Sequence, residues 1–218
     1  MKLKTGILIC CLVLLNSCIV KSLQPFYTPE SIAYQESFTG KWIDKGERTW
    51  EVVSFKEVFL EENKDLSKVT DEDKVIFEKY KAGYFITLTK KDKESSFLAM
   101  PFKIENQLFM DFIPFDYETI TNDLTSQHLL NTHSVAKVDE TENNTLKLTW
   151  LDEGRLKDLF EKDQLKLKHE LIGLEESFVL TASSEELYGF LKKYLNSNIE
   201  NKWESSEKFI LTKVNAQP

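Results

Sequence analysis

The residues best suited to acid–base or metal chemistry in this chain are its three histidines, His128, His133 and His169. A zinc site needs three or four converging ligands, commonly with a pair at helical or turn spacing. The sequence has no His-Glu-x-x-His pair, and no cysteine follows residue 18. We therefore expect neither a metal site nor a cofactor, and we expect His133 to lie in or beside a strand and make one hydrogen bond.

The acidic side chains number 36, so some two of them will lie at the separation of about 5 to 9 Å that glycosidases use. Their abundance makes such a pair uninformative. Asp111, between Met110 and Phe112, is the acid whose pKa burial could raise. The more common arrangement, which we expect here, is an outward-facing residue on a solvated sheet face. The chain also lacks Gly-x-Ser-x-Gly, and its seven glycines never cluster into a phosphate-binding loop, so no catalytic residue is predicted.

The N-terminus combines a head containing two lysines with an unbroken apolar run from Ile7 to Leu15. This run is too short for a transmembrane helix, which needs about 20 residues, and has the length of a secretory signal core. All three cysteines of the chain, Cys10, Cys11 and Cys18, lie in or just after it. The remaining chain therefore cannot form a disulfide, and its stability must come from its core.

Leu15-Asn16-Ser17-Cys18 resembles the lipobox of bacterial lipoproteins, in the relaxed form familiar among Bacteroidota. The resemblance implies that residues 1–17 are a signal peptide and that the Cys18 thiol carries a diacylglyceryl group. The alternative is an ordinary cleaved signal. Two or three acyl chains on one cysteine attach a protein lastingly to a membrane. Because Ile19-Val20-Lys21-Ser22 lacks an acidic run, we expect a lipid-anchored protein of the bacterial cell envelope, on the periplasmic side of the outer membrane.

Loss of residues 1–17 leaves 26 basic and 36 acidic residues, a formal charge of −10. A surface of this charge repels nucleic acid and anionic headgroups, so no nucleic-acid partner is expected. The remaining length fits one domain. We expect a tether with a short helix over residues 18–36, the helix starting at Thr28 and Pro29, and a single domain over residues 37–218.

Alternation of apolar and polar residues predicts that this domain is mainly β. Residues 145–150 alternate cleanly, which is typical of an antiparallel strand with one solvated face. Pro101 has no N–H to donate, so its strand should be an edge or contain a bulge there. Ser183 and Glu186 form a capping box before a helical apolar pattern, which predicts a helix near the C-terminus. We expect nine or ten strands in an antiparallel meander or barrel, with two or three short helices packed outside.

Ser37-Phe38-Thr39-Gly40-Lys41-Trp42 resembles the opening motif of lipocalins, in which a glycine starts the first strand and a tryptophan plugs one end of the barrel. In that family an arginine late in the barrel packs over the tryptophan, whereas the stretch from Lys208 to Lys213 contains none. A broader resemblance, to a set of uncharacterised bacterial exported proteins, implies a fold and no activity. It is carried by Gly40-Lys41-Trp42, Gly83-Tyr84-Phe85, Phe109-Met110-Asp111-Phe112, Thr132-His133-Ser134 and the stretch from Leu180 to Leu187.

We expect a non-catalytic binding module for either a small apolar ligand or another envelope protein. A small barrel can enclose one ligand or be filled by its own side chains. The residues predicted to line a cavity are Trp42, Tyr84, Leu98, Met100 and Phe112. The alternative is an envelope hydrolase or transferase that uses carboxylates with His133. Convergence of His133 and acids in a cleft would favour catalysis, and an apolar lumen would favour ligand binding.

Overall fold

The computed structural model describes residues 19–115, 130–141, 144–174, 176–205 and 207–214. Within these residues the strands are β1 (Lys21–Ser22), β2 (Gly40–Asp44), β3 (Thr49–Ser54), β4 (Tyr84–Lys90), β5 (Lys93–Ile104), β6 (Gln107–Pro114), β7 (Ser134–Thr141), β8 (Thr145–Trp150), β9 (His169–Ile172), β10 (Ser177–Leu180) and β11 (Lys208–Lys213). The α-helices are α1 (Phe55–Glu62), α2 (Asp71–Tyr80), α3 (Glu153–Glu161) and α4 (Ser184–Asn196). Short 3-10 helices span Pro29–Ser31, Glu36–Phe38 and Leu66–Lys68.

Eight strands form a closed antiparallel barrel in the order β2, β3, β4, β5, β6, β7, β8 and β11. Neighbours along the chain are neighbours in the sheet, and β11 closes the barrel by pairing with both β8 and β2. Closure removes the sheet edges that would otherwise expose unpaired backbone groups. The predicted β-rich, lipocalin-like barrel with short helices outside it is confirmed. β9, β10, α3 and α4 are inserted before the last barrel strand, as expected for the helix.

The barrel has two different ends. The open end carries the β2–β3 turn at residues 45–48, the β4–β5 turn at residues 91–92, and the start of β7. The closed end carries the β5–β6 turn at residues 105–106, the connection that contains α1 and α2, and the 3-10 helix Glu36–Phe38. The distinction matters because the candidate site lies at the open end.

Alternation along the strands divides the apolar residues into two cores. The inner core fills the barrel and consists of Phe38, Trp42, Trp50, Val52, Tyr84, Ile86, Ala99, Leu108, Met110, Phe112, Ala136, Val138, Leu146, Leu148, Trp150 and Leu211. The outer core lies between the outer face of β5, β6 and β7 and a second layer of structure. Its strand residues include Leu98, Met100, Phe102, Ile104, Phe109 and Val135.

The second layer is formed by a three-stranded sheet in the order β1, β10 and β9, together with α3 and α4. β1 pairs in parallel with β10, and the Val20 N–H donates to the Leu151 carbonyl at 3.1 Å. Val20 and Phe26 are buried in the outer core. Residues 19–36, which were expected to form a tether, are therefore a packed part of the fold. Their buried apolar side chains and backbone pairing hold them against the barrel.

The helix that was predicted near the C-terminus is α4. The Ser183 hydroxyl accepts from the Glu186 N–H at 3.3 Å, and the Glu186 carboxylate accepts from the Ser183 N–H at 2.9 Å. Its apolar face buries Leu187, Phe190, Leu191 and Tyr194. This face covers part of the outer surface of the barrel, so that surface is apolar where α4 lies on it.

Candidate functional site

An apolar cavity of about 220 Å³ opens at the open end of the barrel. It continues the inner core outward, because most of its walls are inward-pointing strand residues at the ends of their strands. Its lining residues are Ile19, Trp50, Leu88, Phe97, Phe112, Ser134, Trp150, Glu207 and Phe209. Five of the nine are aromatic, so the wall offers a ligand mainly flat apolar surface.

The aromatic residues of the cavity form one continuous chain of ring contacts. Phe209 packs against Trp50 at 5.4 Å between ring centroids and against Trp150 at 5.3 Å. Phe112 packs against Trp150 at 5.1 Å and against Phe97 at 6.3 Å, the latter edge to face. Such contacts stabilise aromatic pairs beyond the burial of their surface. The wall is therefore formed by the protein before any ligand arrives.

Both indole N–H groups of this wall have acceptors within the protein. Trp50 Nε1 donates to Asp44 Oδ2 at 3.1 Å, and Trp150 Nε1 donates to Ser134 Oγ at 3.3 Å. A buried indole without an acceptor would be costly, and these bonds also fix the orientation of each ring. Both tryptophans line the cavity while their N–H groups are bonded within the protein, which is consistent with an apolar ligand.

Asp44, the last residue of β2, holds Trp50 of the cavity wall, and also Arg48, by hydrogen bonds. Burial would raise the pKa of its carboxyl, but hydrogen bonds from Trp50, Arg48 and Gly46 outweigh that effect and hold the pKa below its usual value. Arg48 Nε donates to Asp44 Oδ2 at 2.6 Å, while its guanidinium carbon lies 4.2 Å from the centroid of the Phe209 ring. Arg48 thus neutralises the acid and stacks on the aromatic wall at once.

The closed end is plugged by Trp42. Its Nε1 donates to the Phe38 carbonyl at 2.9 Å. Lys213 Nζ lies 5.2 Å from the centroid of the Trp42 ring and donates to the Ser37 carbonyl at 2.8 Å. A lysine on the last barrel strand therefore occupies the place over the tryptophan that the lipocalin resemblance assigns to an arginine.

Three of the five residues predicted to line a cavity lie together in the barrel interior, and the other two lie outside it. Trp42, Tyr84 and Phe112 belong to the inner core, and Phe112 alone of the five lines the open-end cavity. Leu98 and Met100 point away from the barrel interior into the outer core. The remaining cavity residues, including Trp50, Phe97, Trp150 and Phe209, were missed. The signal that identifies Trp50 is its pairing directly opposite Trp42 across the β2–β3 turn.

The second candidate site is a buried acid–histidine pair outside the barrel interior. His133 Nδ1 lies 2.6 Å from Asp111 Oδ1, and the Phe26 N–H donates to Asp111 Oδ2 at 2.8 Å. Burial raises the pKa of the Asp111 carboxyl, against opposing effects of His133, the Phe26 N–H and the charge of Lys79.

This arrangement corrects the expectation for Asp111. The residue does point away from the barrel interior, but that face is covered rather than solvated, and Asp111 is only 1% exposed. His133, 5% exposed, also exchanges two backbone hydrogen bonds with Ser22, at 2.8 and 2.9 Å. The pair therefore fastens the N-terminal segment to β6 and the start of β7. Both side chains are almost completely shielded from solvent.

Two further depressions of the described surface have more polar linings than the open-end cavity. One of about 220 Å³ lies at the closed end beside Trp42, Glu140 and Lys213. A groove of about 550 Å³ runs between residues 164–167 and α4, and its lining includes Lys166, Glu185, Glu186 and Lys193 beside Phe190. His169 is exposed and packs on Phe160 and Phe178 rather than on other polar side chains. Among the described residues no cluster of His, Cys, Asp and Glu could hold a metal ion. Cys18 and His128 lie outside the described residues.

No helix in the described ranges is both long and apolar enough to cross a membrane. Comparison of the chain with protein-family models, with curated proteins and with solved structures gives no match. The fold defines a lipocalin-like barrel. Its particular features are an aromatic cavity at one end, a tryptophan and lysine plug at the other, and an N-terminal segment clamped to its outer face.

Proposed function

We propose that this protein is a lipid-anchored protein of the bacterial cell envelope, whose barrel binds a small apolar molecule without transforming it. The observation that carries the proposal is the cavity at the open end, with its continuous aromatic wall and hydrogen-bonded indole groups. Ligand sites are typically concave, mostly apolar and already formed in the free protein. The open-end cavity has each of these properties.

The size of the cavity limits the ligand. A volume of about 220 Å³ is below the ~300 Å³ that marks the lower end of sites for drug-sized molecules. It exceeds the ~150 Å³ of a cavity that accepts benzene. At ~30 Å³ per methylene-sized group it accommodates about seven groups. The fitting ligand is a small ring or the end of an acyl chain.

The same count limits the affinity. About seven buried methylene groups at ~0.8 kcal/mol each amount to ~5.6 kcal/mol, so the dissociation constant is no lower than on the order of 0.1 mM, because association also costs entropy. Such a value suits a carrier that takes up and releases its ligand, since the cavity supplies few polar contacts for tighter binding.

Support for a non-catalytic role comes from the surroundings of the Asp111–His133 pair. A general acid or base must lie within hydrogen-bond reach of the substrate proton. Both side chains of this pair are buried, and the contacts of Asp111 are made with His133 and with a backbone N–H. These contacts are sufficient to explain the presence of the pair as a structural clamp.

Fluorescence of the protein with a brominated fatty acid tests the binding proposal, because bromine quenches nearby indoles and Trp50 and Trp150 line the cavity. We expect saturable quenching, weakened at least about tenfold by Leu88→Arg, which places a charge on the apolar wall. Leu171→Arg is the matched control, since Leu171 lies exposed on β9. Quenching that is unsaturable, or equal in the two variants, would refute the proposal.

The anchor is tested separately by growing cells with labelled palmitate. We expect the native protein to incorporate label and to sediment with envelopes, and Cys18→Ala to do neither, because the thioether at residue 18 would be its attachment to lipid. Unlabelled native protein, or a Cys18→Ala variant that sediments as firmly as the native protein, would contradict lipidation.

A further inference from the structure

The first described residue of the chain, Ile19, lines the open-end cavity. Ile19 directly follows Cys18, and consecutive Cα atoms are about 3.8 Å apart. The proposed lipid attachment and the cavity rim are therefore one residue apart in the chain. A lipid on Cys18 would therefore lie beside the open end of the barrel.

Little free chain separates the anchor from the fold. Ile19 forms a β-bridge with Asp152, and the Val20 N–H donates to the Leu151 carbonyl at 3.1 Å. Val20 is 1% exposed, and β1 begins at the next residue. A flexible tether of n residues can extend by at most about 3.6 Å for each residue. A lipid on Cys18 is thus held at the open end and cannot swing to the closed end.

The two ends of the barrel also differ in the charges that they expose. The turn at the open end carries three exposed lysines, Lys90, Lys91 and Lys93, beside two exposed acids, Asp92 and Glu94, so its formal charge is positive. The overall charge of the chain is negative, so this is a local reversal. At the closed end, α2 begins with three consecutive acids, Asp71, Glu72 and Asp73. Lysines near an anionic surface contribute about 1 kcal/mol each, and acids are repelled.

We propose that the open end faces the bilayer in which Cys18 is anchored, and that the cavity takes the end of an acyl chain from a lipid of that bilayer. This inference rests on the proposed function, and it names the source of the ligand. A dissociation constant on the order of 0.1 mM or above requires a ligand at high local concentration, which a membrane held at the cavity rim supplies.

Two engineered cysteines test the orientation in the full lipidated protein. Asp92→Cys lies in the open-end turn and Asn106→Cys in the closed-end turn, both at exposed positions about 25–30 Å apart along the barrel axis, since the 12-residue strand β5 joins the two turns. Each carries a fluorescent dye, and the protein is reconstituted in vesicles that contain lipids with nitroxide headgroups. We expect at least twofold stronger quenching at position 92 than at position 106. Equal or reversed quenching would overturn the orientation.

A second variant tests the role of the short anchor. Insertion of ten glycine and serine residues between Cys18 and Ile19 adds a reach of about 17 Å. We expect the inserted protein to incorporate palmitate and to bind brominated fatty acid as before, but to lose the difference between the two dyes. A difference that persists unchanged would show that the anchor does not set the orientation.

The source of the ligand is tested with vesicles whose lipids carry bromine on the acyl chains. We expect tryptophan quenching in the native protein, reduced at least about threefold by Leu88→Arg and unchanged by Leu171→Arg. Absence of this quenching, as when the acyl group of Cys18 itself fills the cavity, would overturn the inference. The proposed function would still stand if free brominated fatty acid bound, and would fail if it did not.

Discussion

Asp111 is the residue of the barrel that contacts both His133 and the N-terminal segment. Its carboxyl lies within hydrogen-bond distance of His133 and accepts the Phe26 N–H, and it is almost completely buried. Removal of one member of such a group leaves the others buried without partners. The sequence placed this acid between two apolar residues but did not identify its partners, because they come from segments far away in the chain.

Asp111→Ala should lower the free energy of unfolding by about 2–4 kcal/mol, since it leaves the His133 side chain without its hydrogen-bond partner and the Phe26 N–H without its acceptor. Urea denaturation measures the change. Asp92→Ala, in an exposed turn, is the control and should alter stability by less than about 0.5 kcal/mol. Equal effects of the two substitutions would mean that the clamp does not stabilise the fold.

The pH dependence of stability should reflect the same carboxyl. Burial raises the pKa of Asp111 above 3.8, so the folded protein keeps its proton at pH values at which the unfolded chain has lost it. The stabilisation that the protonated Asp111 carboxyl contributes is complete below the ordinary pKa of 3.8. It is lost as the pH rises through the raised pKa of Asp111 in the folded protein. Asp111→Asn cannot titrate. The stability of the native protein relative to this variant should therefore decrease from about pH 4 upward in urea titrations, and an increase would contradict the raised pKa.

At the scale of elements, local sequence patterns predicted most strands and α4. They did not predict which face of each strand points into the barrel, because that depends on how the strands pair. In β5, Leu98 and Met100 are two residues apart and so lie on the same face of the strand, which was predicted to face the cavity. The interior instead receives Ala99, which lies directly opposite the bulky Tyr84. Large side chains could point outward because the second layer covers that face. The expectation that Pro101 marks an edge strand was wrong, because β5 lies between β4 and β6 in the closed barrel. The proline is accommodated because β4 begins opposite Ala99, so position 101 has no partner in β4.

The capping box of α4 makes a prediction at this scale. Ser183→Ala removes the acceptor for the Glu186 N–H and should destabilise the protein by about 1 kcal/mol. Ser184→Ala, at the first helical position, is the neighbouring control and should have a smaller effect. Thermal unfolding followed by circular dichroism compares the two variants. A larger loss with Ser184→Ala would show that the cap is not the stabilising interaction.

At the scale of the whole molecule, the barrel differs from one end to the other. The closed end is plugged by Trp42 under Lys213, and the open end presents an aromatic cavity beside the residue that follows Cys18. The resemblance to the lipobox implied a lipid-anchored protein, and the composition predicted an aromatic-rich core. The sequence could not locate the cavity, because Trp50, Phe97, Trp150 and Phe209 come from four strands that meet only when the barrel closes.

The most direct test of the binding account is a crystal structure with a fatty acid brominated at its terminal carbon, in which anomalous scattering locates the bromine. We expect a bromine in van der Waals contact, about 4 Å, with the rings of Trp50 and Trp150. A bromine found instead in the groove beside Phe190, with the open-end cavity empty at saturating fatty acid, would contradict it.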